Sequence, residues 1–297
     1  MNKEEIVRKE LRLIVRELGL LNYNCFNSGL TLAQSHILNY LKQNGKTTFN
    51  ELLINLGIDK ASLSRIVSNL QASNYLELKR SENDKRMKDI YLLPLGLTAI
   101  NDGDFKANVF MNEILDRGDS EDIDNIVRAF KAFRILALKN HLEKNDSRIL
   151  IEKISENYMD EAIKLATEVF TNEQGIPTEL VPLNHNLKPI WWCARVGEDI
   201  IGVAAAWEKN DKWQWGRFAV DKGLRGIGIG EKIASYSLKK IFNEYTDELY
   251  IDARDVTVNM LLKFGCKVIG ETEEFYGEAI TPILLKKELF EKYLNES

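Results

Sequence analysis

Trp215-Gly-Arg-Phe-Ala-Val-Asp-Lys-Gly-Leu-Arg-Gly-Ile-Gly-Ile-Gly-Glu-Lys-Ile-Ala-Ser-Tyr-Ser-Leu238 is the stretch that decides the second half of the chain. Its centre, Gly226-Ile-Gly-Ile-Gly230, alternates glycine with isoleucine and leaves backbone N–H groups bare. A helical run follows, Lys232 to Phe242, whose N-terminus offers unpaired donors and the positive end of a dipole. That is a pattern for phosphate. Three ligand classes use it: dinucleotides, nucleoside triphosphates and coenzyme A. A dinucleotide fingerprint needs Gly-x-Gly-x-x-Gly and an acid about twenty residues on. Here the glycines stand at 226, 228 and 230, and Glu231 takes the third fingerprint position. A P-loop needs Gly-Lys-Ser/Thr, which is missing. What is left is Arg225-x-x-Gly228-x-Gly230, after the strand Arg217-Phe-Ala-Val220 and a short turn.

Around this stretch, the bulk properties are those of a soluble globular protein. At 297 residues the chain is comfortable for two cores. Its apolar runs are short and its N-terminus, MNKEEIVRKEL, is charged, so neither signal peptide nor membrane span is expected. Cys25, Cys193 and Cys266 are isolated, which fits a reducing cytoplasm. His36, His141 and His185 are scattered as well, and no metal site is expected. The net charge of −5 comes from the second half, because acids and bases nearly balance up to Ser147. Within the first half, Lys60, Arg65, Lys79, Arg80, Lys85, Arg86 and Lys88 form a local basic stripe against Glu77, Glu82 and Asp84. A basic stripe on a near-neutral domain suits a polyanion.

The apolar period changes once, near residue 147. Before it, helical spacing dominates, with helices expected from Ile6 to Leu20, Leu32 to Leu41, Phe49 to Leu56 and Asp59 to Leu70. Asp59 is an N-cap, and Leu63, Val67 and Leu70 form the buried face of the last of these. Tyr75–Arg80 and Asp89–Leu93 alternate as a hairpin, and Pro94–Asp104 and Ser120–His141 are helical again. Ile123, Ile126, Val127, Phe130, Phe133 and Ala137 share one face of the final helix. Glu143 to Arg148 is a polar linker. The expected division is therefore 1–146 and 147–297, an α+β protein of two domains. The second domain runs strand, helix, long loop, three antiparallel strands, the glycine turn with its helix, then strand, helix and hairpin.

In the first domain, a helix-turn-helix followed by a basic hairpin puts a helix in the major groove and an arm in the minor groove of DNA. Ser62, Ser64, Arg65 and Ser68 lie opposite Leu63 and Val67, free to meet bases or phosphates. Arg80, Lys85, Arg86 and Lys88 populate the hairpin. Leu30-Thr-Leu-Ala-Gln34, Glu51-Leu52, Asp59-Lys-Ala-Ser-Leu-Ser-Arg65, Asp84-Lys-Arg86 and Tyr91-Leu-Leu-Pro-Leu-Gly96 resemble the MarR family of winged-helix regulators over about residues 5–140. The resemblance implies double-stranded DNA as partner, a homodimer joined by the first and last helices, and Arg86 as the wing arginine. Asn74 stands where the family has glycine, and asparagine tolerates a left-handed backbone next best. Some relatives sense redox through a cysteine, but nothing near Cys25 makes it a thiolate, so packing is the expectation.

In the second domain, Arg225-x-x-Gly228-x-Gly230 resembles the pyrophosphate loop of the GNAT acetyltransferases, and the order of elements over about 148–290 agrees. Glu168-Val-Phe-Thr-Asn-Glu-Gln174 and Ala253–Gly265 resemble the ElaA-like branch. The resemblance implies acetyl-CoA as cofactor. Arg225, Gly226, Ile227, Gly228, Ile229 and Gly230 would hold its diphosphate, with Asn259 a further contact. The main chain of Phe218, Ala219 and Val220 would pair with its pantetheine arm.

Catalysis departs from that family. Where many members place a tyrosine acid this chain has Leu261, and where histone-type relatives place a glutamate base it has Gln214. A thiol of pKa about 8.5 is a tolerable leaving group without an acid. Glu173 as base and Tyr276 as acid are the candidate substitutes, each with a structural alternative: loop anchor and hairpin packing. All five tryptophans fall between Trp191 and Trp215, so some are expected to line the acceptor cleft. Two functions follow from these residues: a DNA-binding regulator that also acetylates an amine, or a regulator whose second domain binds acetyl-CoA without turnover. An enzyme that uses the winged helix only to dimerise is disfavoured by where the basic residues sit.

Overall fold

A computed structural model describes residues 2–21, 24–81, 86 and 88–296. The chain divides into two compact units, Met1–Phe133 and Arg134–Ser297.

The first unit is mainly helical: α1 (Lys3–Glu17), α2 (Leu32–Asn44), α3 (Phe49–Leu56), α4 (Lys60–Ala72), α5 (Pro94–Leu115) and the start of α6 (Ser120–Lys144). The helices begin where the sequence supplies acceptors for their bare N–H groups. Thr31 and Thr48 form capping boxes with Gln34 and Glu51, and the Asp59 carboxylate accepts from Ala61 and Ser62, both at 2.9 Å. Strands β1 (Lys46–Thr48), β2 (Leu76–Arg80) and β3 (Lys88–Leu92) form a sheet in the order β1-β3-β2. Leu38, Leu41, Leu52, Leu63, Leu70, Leu76, Ile90 and Ile100 meet in one core. Gly96 allows α5 to pass the hairpin base, because a Cβ there would overlap the Tyr75 carbonyl. Asn74 does adopt the left-handed conformation, at φ 56°.

Two elements differ from expectation. Strand β1 is three residues long, too short to show a period. Helix α5 continues to Leu115 rather than ending at Asp104, and its added turns leave Phe105, Val109 and Ile114 exposed.

In the second unit, β4 (Leu150–Lys153), β5 (Ile190–Val196), β6 (Asp199–Lys209), β7 (Lys212–Val220), β8 (Glu248–Arg254), β9 (Lys267–Val268), β10 (Glu273–Phe275) and β11 (Glu278–Lys286) build one sheet. Its order is β10-β11-β8-β7-β6-β5-β4, with β9 on β11. Every pair is antiparallel except β7 with β8. Helices α8 (Ile229–Glu244) and α9 (Asp255–Lys263) share a core with one face of the sheet, and α7 (Met159–Thr167) packs on the other. α10 (Lys287–Glu296) closes the end through Phe290, stacked on Phe264 and Phe242. A helix is expected from Asp160 to Phe170 with loop beyond it; instead α7 ends at Thr167 and continues as a π-helical turn, Glu168–Glu173. Ile135, Leu138 and Leu142, from the last turns of α6, are buried in this second core. The expected boundary at 146/147 follows the polar linker at the end of that helix.

Candidate functional site

Strands β7 and β8 are parallel in one register pair only, Gln214 with Tyr250. Beyond it they part, so the β7 edge from Trp215 to Val220 has no strand partner among the described residues. A bulge adds to the opening. Between the pairs Val203–Ala219 and Ala205–Gly216, two β7 residues face one on β6. Arg217 occupies the bulge at φ 48°. Its guanidinium donates to the carbonyls of Val181 at 2.7 Å and Leu180 at 2.9 Å and lies over the Trp207 ring. Burial pulls its pKa down, and the two carbonyls offset that cost. The backbone strain is thus held by three separate contacts.

At the end of β7 the chain turns into α8. Gly226 has φ 85°, and Gly228, the N-cap of α8, has φ 82°. No side chain caps this helix, and a Cβ on either glycine would point into open space. The first-turn N–H groups therefore have no side-chain acceptor, at the positive end of a 16-residue helix. Gly230 has a different reason to be glycine: a Cβ there would lie 3.0 Å from the Phe218 ring. The Arg225 side chain is fixed twice. Its Nε donates to the Val220 carbonyl at 3.1 Å, and its two terminal nitrogens grip Glu173 at 2.7 and 3.0 Å.

A cavity of about 450 Å³ opens on the splayed strands. Trp207, Gln214, Phe218, Phe170 and Phe275 give it aromatic and polar walls, while Asp252, Glu273 and Glu274 supply carboxylates. Its two arginines are partly committed, Arg217 to carbonyls and Arg254 to Glu278 at 3.5 Å. Asp252 stands exposed on β8 where the strands part, with no ion-pair partner among the described residues.

In the first unit, Ser64, Arg65 and Ser68 are exposed on α4, opposite the buried Leu63, Val67 and Leu70. Ser62 is committed locally, its hydroxyl donating to Asp59 at 2.6 Å. Arg80 and Lys88 are an opposed, exposed pair where the hairpin leaves the sheet, and Arg86 is exposed beyond them. Lys85 lies outside the described residues. The exposed basic residues thus fall on the helix and on the hairpin.

The model of the MarR family matches residues 28–87, and that of the Acetyltransferase (GNAT) family matches residues 155–265. The chain joins a MarR domain to a GNAT domain. Among solved structures, ElaA of Escherichia coli is 19% identical over 46% of this chain and 98% of its own, with a TM-score of 0.40. BpsR of Bordetella bronchiseptica, described by its DNA binding and regulation by 6-hydroxynicotinic acid, is 18% identical over 44% of this chain and 98% of its own, with a TM-score of 0.37. YusO of Bacillus subtilis is 15% identical over 45% and 98%, with a TM-score of 0.35. No curated protein matches the chain.

Within the GNAT domain, the cofactor-loop residues expected from sequence come together: Phe218, Ala219 and Val220 on the open edge, Arg225 to Gly230 in the turn. Asn259 is exposed on α9. The two candidate catalytic groups do not converge. Glu173 is locked in its bidentate pair with Arg225, and Tyr276 sits at φ 51° in the β10–β11 turn, stacked edge-on against Phe275. Neither lines the cavity. Leu261 is fully buried. Of the tryptophans, Trp207 and Trp215 reach the cavity, Trp191 and Trp192 are core, and Trp213 stacks on Tyr245. Sequence reasoning missed Asp252. Its one signal was an acid inside Ile251-Asp-Ala-Arg254, since aspartate is depleted from strands.

None of the three thiols is exposed or in a disulfide. All three thiols are buried, and burial raises Cys25 and pushes Cys193 up to about 12 and Cys266 to about 11. No group of three or more His, Cys, Asp or Glu among the described residues could hold a metal, and no helix there is long and apolar enough to cross a membrane.

The MarR domain carries a pH-dependent contact at its wing base. Lys46 donates to the buried Asp89 carboxylate at 3.0 Å and, with Ser81 and Tyr91, holds it below the usual carboxylate range. A depressed carboxyl stabilises the fold above its unfolded pKa, and that stability is lost as pH falls through the folded value. Asp89's contribution to wild-type melting, followed by circular dichroism, should therefore hold from neutral pH down to the ordinary carboxylate range, about pH 4, and be lost below it. Asp89→Asn should flatten part of that loss; an unchanged pH profile would remove the contact from the account.

Proposed function

We propose that the chain is a sequence-specific DNA-binding regulator whose GNAT domain transfers an acetyl group from acetyl-CoA to an amine. One observation carries the second half: the open edge of β7 leads directly into the uncapped N-terminus of α8, beside an acidic cavity. Bound acetyl-CoA would supply the acyl group as a thioester. The turn from Arg225 to Gly230 would hold the diphosphate, and the free edge of Phe218 to Val220 would pair with the pantetheine arm. The excess of carboxylate in the cavity favours a cationic acceptor, which must lose a proton before it attacks. Asp252, exposed at the parting of the strands, is the group we assign to accept that proton. The ion pair of Glu173 with Arg225 supports a loop-anchoring role for Glu173 over the basic one expected from sequence. The test is release of free thiol from acetyl-CoA over a panel of amines and amino acids. Turnover with any of them supports transfer.

A second reading has its own support. Gln214 cannot accept a proton, and Leu261 cannot give one. A domain that binds acetyl-CoA and never turns over would act as a sensor for the DNA-binding half. Binding without thiol release across the panel would favour it.

For DNA, exposure of Ser64, Arg65 and Ser68 on one helix supports base readout, and Arg80, Arg86 and Lys88 support backbone contact, with Lys85 a further candidate. Arg65→Ala should weaken a preferred duplex by about 1–3 kcal/mol more than random DNA. Arg86→Ala should weaken both alike and lower the salt slope by about one. Equal losses on both duplexes for Arg65→Ala would end its role in readout.

Ile6, Val7 and Leu11 on α1, with Ile126, Val127, Phe130 and Phe133 on α6, are exposed large apolar residues. We infer that they meet their equivalents in a homodimer. Phe130→Lys should shift sedimentation from dimer to monomer; an unaltered dimer would move the interface elsewhere. Both DNA and acetyl-CoA are cytoplasmic, and so, we infer, is the protein.

A further inference from the structure

The glycine turn is seated on the last turns of α6. Ile135, Leu138 and Leu142 of that helix share their core with Val220 and Leu224. A Cβ on Gly223 would overlap the Ile135 Cγ2 methyl, so only glycine permits this approach. The Gly223 N–H is held by the Asp221 carboxylate at 2.8 Å, which closes the short turn Lys222–Leu224. Arg134 pairs with Asp199 at the start of β6. Lys139, one helical turn beyond Ile135, donates from Nζ to the Arg225 carbonyl at 3.1 Å.

That last bond has a geometric consequence. A trans peptide is planar, with its C=O and N–H on opposite sides. By holding the Arg225 carbonyl, Lys139 fixes the direction of the Gly226 N–H, the first donor of the glycine turn. No packing contact restrains Gly226 itself, since a Cβ there would meet nothing within 4 Å. The ammonium also places positive charge beside a loop suited to a diphosphate.

We propose that Lys139 is a positioning residue for the coenzyme A loop, and that coenzyme A occupancy is thereby transmitted to α6. The proposal rests on reading Arg225–Gly230 as the diphosphate site. Lys139 lies outside residues 155–265, the part matched by the acetyltransferase family. It belongs instead to a helix that runs unbroken from Ser120, whose first turns are part of the first unit. Coupling of this kind is reciprocal: a ligand that orders the loop stabilises the helix end by the amount that the helix end favours the ligand.

The test uses the full-length chain as wild type, Lys139→Met and Lys139→Arg. Acetyl-CoA is titrated calorimetrically into each, and amide exchange over residues 120–144 is followed with and without saturating acetyl-CoA. Lys139→Met should bind about tenfold more weakly, the worth of one charge-assisted hydrogen bond. Its melting temperature without ligand should match the wild type, because Lys139 is only half-buried. Lys139→Arg keeps a donor and a charge and should recover most of the affinity. Acetyl-CoA should slow exchange over residues 134–144 in the wild type and much less in Lys139→Met. Wild-type affinity in folded Lys139→Met, or exchange in α6 indifferent to acetyl-CoA, overturns the proposal. A wild type that does not bind acetyl-CoA at all would sink the reading of the site itself, a result distinct from binding to which Lys139 is irrelevant.

Discussion

Gly228→Glu is expected to remove measurable acetyl-CoA binding while leaving affinity for DNA close to that of the wild type. Position 228 is the N-cap of α8 at φ 82°, so any side chain there is strained by roughly 1 kcal/mol. The larger effect is electrostatic. A carboxylate at the helix N-terminus would take the helix donors for itself and present like charge to a diphosphate. Calorimetric titration, with a melting curve for each protein, is the measurement. Gly228→Ala carries the strain without the charge, and should bind more weakly than wild type yet clearly better than glutamate. A folded Gly228→Glu protein that binds acetyl-CoA like wild type would show that the turn is not the diphosphate site.

The second large effect is expected at Asp252. Asp252→Asn keeps the size of the side chain and removes its ability to take a proton. If Asp252 serves the acceptor amine, kcat should fall by about 10²–10⁴ with little change in KM for acetyl-CoA. The loss should shrink as pH rises and more of the amine is already neutral. Glu173→Gln should behave in the opposite way. It weakens the grip on Arg225, so KM for acetyl-CoA should rise while kcat changes little. The two variants together separate a base from an anchor: a collapse of kcat in Glu173→Gln, with Asp252→Asn near normal, would reverse the assignment.

The glycine turn was legible because its cause is local. Gly226 and Gly228 need positive φ, Gly230 needs to clear Phe218, and both reasons act within a dozen residues of chain. Helix α4 was legible for the same reason, since Asp59 caps it and Leu63, Val67 and Leu70 repeat along it. The partner of Glu173 was not. Arg225 lies far away in sequence, and a glutamate committed to an ion pair reads the same as one free to act. Asp252 was hidden because β7 and β8 part only in three dimensions. In α6 the exposed face, with Val127 and Phe130, is as apolar as the buried one, with Leu138 and Leu142. Periodicity alone could not say which of them faces a core.

The shared helix also bears on how this chain can be cut and recombined. The polar stretch from Glu143 to Arg148 looks like the place to separate the halves for expression, crystallisation or grafting. A fragment starting at Ser147 would nevertheless lack Ile135, Leu138 and Leu142, and so leave bare the apolar surface that these three cover. Losses of this kind cost about 2–5 kcal/mol for a large buried aliphatic residue, comparable in sum with the whole stability of an ordinary domain. The acetyltransferase half is therefore transplantable only with the helix that precedes it, and a workable junction falls before Arg134, inside α6.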